Sequence, residues 1–324
     1  MNNSILVVII ASGIAYGTPL LFAALGELLA ERSGVLNLGV EGMMLVGAVM
    51  GFWAIQRIGG PGHTALFLAV AVAALAGAAV ALIFAFLVIT LRANQIVSGL
   101  ALTIFAGAAG LSSYLGNDLG LADSPAEHQF EPVDPFGLAD MPILGPILFG
   151  QTWIVYASWV LVVLIALYLN RTRPGLNVRA VGESPQTADA MGISVSAYRY
   201  AHVLAGGALA GVGGACFTLA LTPQWVDGIT GGAGWIAIAL VIFSFWRPEL
   251  CLVGAYFFGA CQVLPLQLQA RDYGWVPPLF KTGLFQALPY VMTVVVLVIV
   301  SSGIAKRRLG APGSLGVPFV REER

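Results

Sequence analysis

Nine apolar stretches, each close to the length needed to cross a bilayer, follow one another along this 324-residue chain. A spanning helix needs about 20 mostly apolar residues, because the hydrocarbon core is about 30 Å thick and a helix rises about 1.5 Å per residue. The pattern therefore predicts an all-α polytopic membrane protein with about nine transmembrane helices, within a range of eight to ten. The stretches lie near residues 4–26, 35–55, 64–91, 96–115, 151–170, 199–220, 231–246, 250–270 and 286–305. The seventh is short enough to be a broken or re-entrant helix.

Composition agrees with a lipid bilayer as the surroundings of the chain. Only 10% of the residues are charged, compared with about 25% in soluble domains, and the net charge of −1 provides no basic field for nucleic acid. We expect one membrane domain over residues 1–324, with no nucleic-acid partner. An odd number of cysteines without CxxC spacing and scattered histidines indicate neither disulfides nor a metal site; these residues are Cys216, Cys251, Cys261, His63, His128 and His202.

The basic residues predict the orientation, because cytoplasmic loops retain Lys and Arg during insertion. Nine spans with the N-terminus outside place twelve basic residues in the cytoplasm and leave Arg57, Arg271 and Lys281 outside. The tail at 306–324 is then cytoplasmic. The loop at 116–150 is extracytoplasmic; it is acidic, without a basic residue, and its prolines restrict it to a short helix or hairpin.

The two halves of the chain show a weak internal similarity. A small-residue span leads through SGVLNLGVEGMMLVGAVMG in the first half, and GGALAGVGGACFTLAL leads through DGITGGAGWIAIALVIFSFW in the second. The matched spans are five apart, so the repeat is inverted across the membrane. Transporters often have this construction, with the substrate route at the repeat interface.

A polar cytoplasmic segment at 171–198 is the most informative part of the sequence. Ser184 is a candidate N-cap, Pro185 suits a first helical turn, and Gly192 suits a left-handed stop, so a short helix is predicted. Apolar positions of this helix would seat in a groove of a soluble partner and polar ones would surround them; the alternative is a solvated loop that only joins two spans. The candidate docking residues are Arg179, Glu183, Ser184, Pro185, Thr187, Ala188, Asp189, Met191 and Gly192, with Ile193 beside them.

Three motifs carry a family resemblance. GLNVRAVGESPQTADAMGI resembles the coupling segment of permease subunits in ATP-binding-cassette importers, in the branch with ribose, branched-chain amino acid and nucleoside permeases. ERSGVLNLGVEGMMLVGA, at 31–48, is similar to an early motif of the nucleoside-type permeases. GITGGAGWIAIALVIF, at 228–243, also matches, and the three occur in the order of the family.

The resemblance implies a bacterial inner-membrane importer subunit with no catalytic residue or cofactor of its own. A separate ATPase would bind ATP and Mg, dock on the coupling segment and drive translocation, and GxxxxGK[ST] is absent from this chain. A second, similar permease and an extracytoplasmic solute-binding protein would complete the transporter. The implied cargo is a nucleoside, with a sugar or another small polar metabolite as the alternative. From another class, an ion-coupled secondary transporter would also show inverted repeats, but it would not need the short capped helix.

Polar residues within apolar spans are candidates for the translocation path, because a charge at membrane depth costs at least about 2.5 kcal/mol and usually faces a cavity or a partner. Asn37 and Glu41, four positions apart, are predicted to share a helix face along this path. The alternative for Glu41 is pairing with Arg32 or capping a half-helix. The remaining path candidates are Asn94, Gln95, Ser98 and Trp235, for which N-capping of the fourth span or interfacial anchoring is the alternative. Glu27, Glu31 and Arg32 are expected to form a surface ion-pair cluster.

Overall fold

The chain folds into a bundle of helices. The computed structural model describes residues 5–58, 61–122, 128–134, 137–270, 287–301 and 310–321. Among these residues there is no β-strand, only one isolated bridge between Pro132 and Thr152. The helices are α1 (Ile5–Arg32), α2 (Val40–Arg57), α3 (Gly62–Ala85), α4 (Gln95–Ala106), α5 (Leu111–Asp118), α6 (Trp153–Arg171), α7 (Arg173–Glu183), α8 (Pro185–Ala190), α9 (Val195–Cys216), α10 (Ala233–Phe243), α11 (Pro248–Ala270) and α12 (Leu288–Ser301).

Six helical segments of the described chain are long and apolar enough to cross a membrane, which confirms a multi-pass helical membrane protein. They are Ile5–Arg32, Gly62–Thr90, Gln95–Asp118, Trp153–Arg171, Val195–Leu221 and Pro248–Leu268. The expected count of nine is not confirmed. The second, seventh and ninth predicted spans correspond to α2 (18 residues), α10 (11 residues) and α12 (14 residues among those described), which are not among these six.

Glycines allow the central helices to approach one another closely, as is common in membrane bundles. On α1, Gly26 meets the backbone of Gly206 on α9, and Gly17 meets Ala255 on α11. On α3, Gly77 meets Gly207 of α9. A Cβ at Gly17, Gly26 or Gly77 would overlap backbone atoms of the neighbouring helix. These helices can therefore pack this closely only because the three residues have no side chain.

Two predicted spans differ from the observed helices. The third ends in a π-helical turn at Phe86–Thr90, and the fourth is interrupted at 107–110, which separates α4 from α5. Helix α5 continues to Asp118, so the predicted loop at 116–150 begins inside a helix. The described part of that loop folds back onto the bundle, where the Phe130 amide donates to the Leu219 carbonyl over 2.8 Å.

Candidate functional site

The N-termini of α2 and α10 meet inside the bundle. Glu41, in the first turn of α2, is 7% exposed. One oxygen of its carboxylate accepts from the Thr230 hydroxyl (2.5 Å) and the Gly232 amide (3.0 Å), and the other accepts from the Gly234 amide (2.6 Å). Glu41 therefore caps the start of α10, where amides lack intrahelical partners and the helix dipole favours an anion.

Helix α10 is short for a spanning helix, in line with the expectation that this stretch is short enough to be broken or re-entrant. It has 11 residues, about 16 Å at about 1.5 Å per residue, which is half the hydrocarbon thickness. Gly231 and Gly232 precede it with φ of +55° and +84°, values that L side chains rarely adopt. The glycine-rich stretch thus provides both the sharp turn and the free amides that Glu41 binds.

The amides of residues 33–35 still donate to carbonyls in the last turn of α1, but residues 36–38, which lead into α2, depend on side chains. The Leu36 amide donates to Gln95 Oε1 (2.8 Å), and the Asn37 amide donates to Glu27 Oε1 (3.0 Å). Thr103 donates to the Leu38 carbonyl over 2.8 Å. Irregular backbone inside a membrane protein needs such internal partners because hydrocarbon provides none.

The expectation that Asn37 and Glu41 share a helix face is wrong. Asn37 lies before α2, and its Oδ1 accepts from the Gly39 amide over 2.9 Å, forming a turn that precedes the helix. An Asn side chain competes for the backbone amide two residues on, which favours a turn over a helix at this position. Glu41 does not pair with Arg32 either, since its carboxylate is engaged at α10.

The other path candidates lie at two places. Asn94 is the N-cap of α4 and accepts from the Val97 amide over 3.0 Å, while Ser98 is buried on the same helix. Trp235 lies on α10 and is partly exposed. Glu41 thus caps the start of α10, whereas Asn37 and Gln95 bind backbone amides in the segment that leads into α2. The assignment of all six to a translocation path stays a prediction.

The expected surface ion-pair cluster is wrong, because Glu27 and Glu31 are each only 1% exposed. Glu31 accepts a hydrogen bond from the indole N–H of Trp246, which follows α10. Arg32 donates to the carbonyl oxygens of Trp246 (2.7 Å) and Gly310 (3.2 Å). The last turn of α1 is therefore a buried polar junction that holds the end of α10 and the C-terminal tail.

The segment at 171–198 forms a pair of short helices, α7 and α8. Pro185 is the first residue of α8, and Gly192 has φ +82° just after it, as expected. Ser184 occupies the N-cap position, but its hydroxyl shares a hydrogen bond with the Thr187 hydroxyl (2.8 Å) instead of a backbone amide. The sequence therefore located the helix and both of its ends.

The outward face of this helix pair differs from the one predicted. Ala188 is 3% exposed and packs with Val181 and Val195, so it cannot enter a groove of a partner. Met191 is 77% exposed and is the large apolar side chain that α8 presents. Ala188 lies on the side of α8 that packs against α7 and α9, whereas Met191 is the C-cap residue at the end of α8.

Two of the remaining docking candidates contact the C-terminal tail, and a third lies on α7. Glu183 accepts from the Gly313 amide (3.2 Å), and Asp189 pairs with Arg321 over 3.2 Å, so both hold the tail. Arg179 is half-buried near Arg32, at the base of α7. The docking role of the nine candidates stays a prediction.

Sequence reasoning missed the tail as a structural element. Arg199, 2% exposed in the first turns of α9, donates to the carbonyls of Ser33 (3.3 Å) and Val317 (3.2 Å) and contacts Ser314 Oγ (3.5 Å). The Ser314 amide also donates to the Gly182 carbonyl over 2.9 Å. A charge at the start of an apolar span was the available signal, because such a charge requires a partner.

Two further regions of the described chain contain cavities that the sequence did not indicate. A cavity of about 530 Å³ between the loop at 128–134 and the first turns of α3 and α6 includes His63, His128 and Glu131, so these two histidines are not scattered as expected. The described residues contain no group of three or more side chains able to hold a metal ion. The second region is a groove between α9 and α10, described below.

Comparisons with known proteins agree with this architecture. Residues 9–300 match the family model described as branched-chain amino acid transport system / permease component. The putative glucose ABC transporter permease protein TsgC13 of Haloferax volcanii is 38% identical over 94% of this chain and 95% of its own length. The guanosine ABC transporter permease protein NupQ of Bacillus subtilis is 34% identical over 99% and 98%, and the nucleoside ABC transporter permease protein NupC of Lactococcus lactis is 32% identical over 98% of each chain.

No solved structure matches the chain. The family match covers most of the sequence, and these relatives align with this chain over nearly their whole lengths. The described helices of the chain include six that are long and apolar enough to cross a membrane. The chain therefore belongs to the family of branched-chain amino acid transport system permease components, and it is a multi-pass permease of the ABC transporter class.

Proposed function

We propose that this chain is the permease subunit of an ATP-driven importer in a bacterial inner membrane. It pairs with a second, nonidentical permease. A separate ATPase binds ATP and Mg and grips the α7–α8 helix pair, and an extracytoplasmic solute-binding protein delivers the cargo to the opposite side. The observation that carries this proposal is the short helix pair itself, which lies outside the long helices and presents Met191 to solvent.

The distribution of charge supports an orientation with α7 and α8 in the cytoplasm. Arg32, Arg179 and Arg247 lie around one cavity at the end of the bundle that also carries the tail. The cavity of His63 and Glu131 lies beside the first turns of α3 and α6. The last turn of α6 lines the cavity with the three arginines, so the two cavities lie at opposite ends of that helix. Because basic residues are retained on the cytoplasmic side, the N-terminus is extracytoplasmic and the tail is cytoplasmic.

Helix packing supports the inverted repeat. Helix α1 packs on α11 and α9 packs on α3, while α1 and α9 cross each other. Exchanging α1 with α9 and α3 with α11 reproduces these contacts, and the same exchange relates α2 to α10, whose N-termini meet at Glu41 and Gly234. Discontinuous helices with ends inside the bundle are typical of transporters with such repeats.

The cargo is a nucleoside. The support is that two relatives aligned over nearly the whole chain are permeases named for guanosine and for nucleosides. The relative named for glucose supports a sugar as the second candidate. The chain contributes only part of the solute path, so the ATPase, the second permease and the binding protein are required for a test.

The test is uptake by the reconstituted four-component transporter in proteoliposomes. We expect ATP-dependent accumulation of radiolabelled guanosine that excess unlabelled adenosine reduces and excess glucose does not. Matched vesicles that contain a nonhydrolysable ATP analogue are the control for dependence on ATP hydrolysis, and they should not accumulate guanosine. Accumulation of glucose in place of guanosine would assign a sugar, and uptake that follows a proton or sodium gradient without ATP would overturn the importer.

A further inference from the structure

A groove follows the chain from the end of α9 to the start of α10. It has two neighbouring parts, and Phe217 and Ile229 line both of them. The inner part, about 270 Å³, lies between α9, α10, α11 and α12, and the outer part, about 390 Å³, lies between α1 and the loop at 222–229. The groove thus leads to the glycine-rich turn that Glu41 caps.

The inner part combines flat apolar surfaces with one amide. Phe217 and Tyr290 present aromatic rings, and Gln262 on α11 lines the space between Pro265 and the loop. The Tyr290 hydroxyl donates to the Gly231 carbonyl, which holds that ring against the turn. The Gln262 amide has no hydrogen-bond partner among the described residues and is half-buried. An amide offers a donor and an acceptor in one plane.

The outer part has a different chemistry. Asp227, Gln224, Thr222 and Tyr16 bring a carboxylate, an amide and two hydroxyls to it. A carboxylate accepts hydrogen bonds from both hydroxyls of a vicinal diol. The Asp227 side chain is exposed, and no described residue forms an ion pair with it.

We propose that this groove is the solute-contact site of the subunit and that it fits a nucleoside. The planar base lies in the inner part against Tyr290 and Phe217, with its polar edge at the Gln262 amide, and the sugar diol faces Asp227. Stacking on an aromatic ring is favourable and tolerates different bases, so Gln262 supplies the selectivity for the polar edge. This inference rests on the proposed function and names the residues that act in it.

The test uses the reconstituted transporter with the same binding protein in every assembly, so that the selectivity of that protein cancels between variants. We expect Gln262→Ala to raise the KM for guanosine uptake about tenfold, as for the loss of a base-edge contact. Gln267→Ala, on the same helix but outside the groove, is the matched control and should leave the KM unchanged. Tyr290→Phe keeps the ring but loses the hydroxyl contact that holds it, so it should raise the KM less than Tyr290→Leu, which removes the ring.

The diol contact has its own readout. Asp227→Asn should raise the KM for guanosine several-fold and leave the KM for 2′,3′-dideoxyguanosine unchanged, because that compound has no diol to lose contact with. The elution volume of each purified assembly in size-exclusion chromatography and its melting temperature should match those of the unaltered transporter, which excludes a folding defect. Unchanged guanosine kinetics in Gln262→Ala and Asp227→Asn would overturn the groove alone. Absence of guanosine uptake by the unaltered transporter would overturn the proposed function and the groove together.

Discussion

Glu41 Oε2 lies 2.6 Å from the backbone nitrogen of Gly234, so the first turn of α2 holds the first turn of α10 across 193 residues of sequence. The ideal position of a Cβ on Gly234 is only 2.6 Å from the Glu41 Cα. The two helix starts therefore touch through their backbones, and one carboxylate binds the amides of the second helix. This contact joins the two halves of the chain inside the bundle.

Glu41→Ala should lower the stability of the protein. The change removes three hydrogen bonds and leaves the amides of Gly232 and Gly234 without partners, at a cost of about 1–3 kcal/mol for each buried group left unsatisfied. The measurement is thermal unfolding of the detergent-solubilised protein. Glu249→Ala is the matched control, because that carboxylate is about half exposed. Equal melting temperatures for the two variants would show that the cap is dispensable.

The positions of several helices could be predicted from the sequence, because the length of an apolar stretch and the residues that cap a helix are local properties. Pro185, Gly192 and the run at 231–246 marked the ends of α8 and the half-span α10 correctly. Asn94 was recognised as a possible cap for the same reason. Each of these residues acts on backbone groups within a few positions of its own.

Side-chain partners far along the chain did not follow from the sequence. Glu27 and Glu31 were expected at the surface because they lie at the predicted cytoplasmic boundary, yet their partners are the Asn37 amide and Trp246. Ala188 was expected to dock on a partner, but in the structure it packs against Val195. Burial of this kind depends on which helices cross, and no local pattern contains that information.

Gly214→Ala should prevent close packing of α9 on α2. A Cβ at Gly214 would overlap the carbonyl of Met44, which is backbone and cannot rotate away. Forcing extra atoms into a filled core typically costs about 1–3 kcal/mol, and a rigid neighbour puts this site at the upper end. The yield of monodisperse protein after detergent extraction is the measurement. Gly150→Ala, where the nearest atom is 3.5 Å from the added Cβ, should behave as the unaltered protein; a similar loss there would refute the packing argument.

Arg199→Lys should release the C-terminal tail without changing the charge. A single ammonium cannot reproduce the contacts of the guanidinium with Ser33, Ser314 and Val317, and hydrogen bonds to charged groups contribute about 1.5–3 kcal/mol. We expect faster proteolysis within residues 310–321, measured by mass spectrometry of the released peptides. Arg173→Lys, at an exposed position on α7, is the control and should digest at the original rate. Identical digestion of both variants would show that Arg199 does not hold the tail.

Two aspartate substitutions three residues apart separate docking from folding on α8. Ala188→Asp buries a charge among Val181 and Val195, so it should disorder the helix pair and lower the melting temperature. Met191→Asp changes an exposed side chain, so it should leave the melting temperature unchanged while weakening ATPase binding in a detergent pull-down and uncoupling solute uptake from ATP hydrolysis. Gln186→Asp introduces the same charge at another exposed position of α8 and shows whether charge alone is responsible. Full ATPase binding and uptake by Met191→Asp would exclude this face as the docking site.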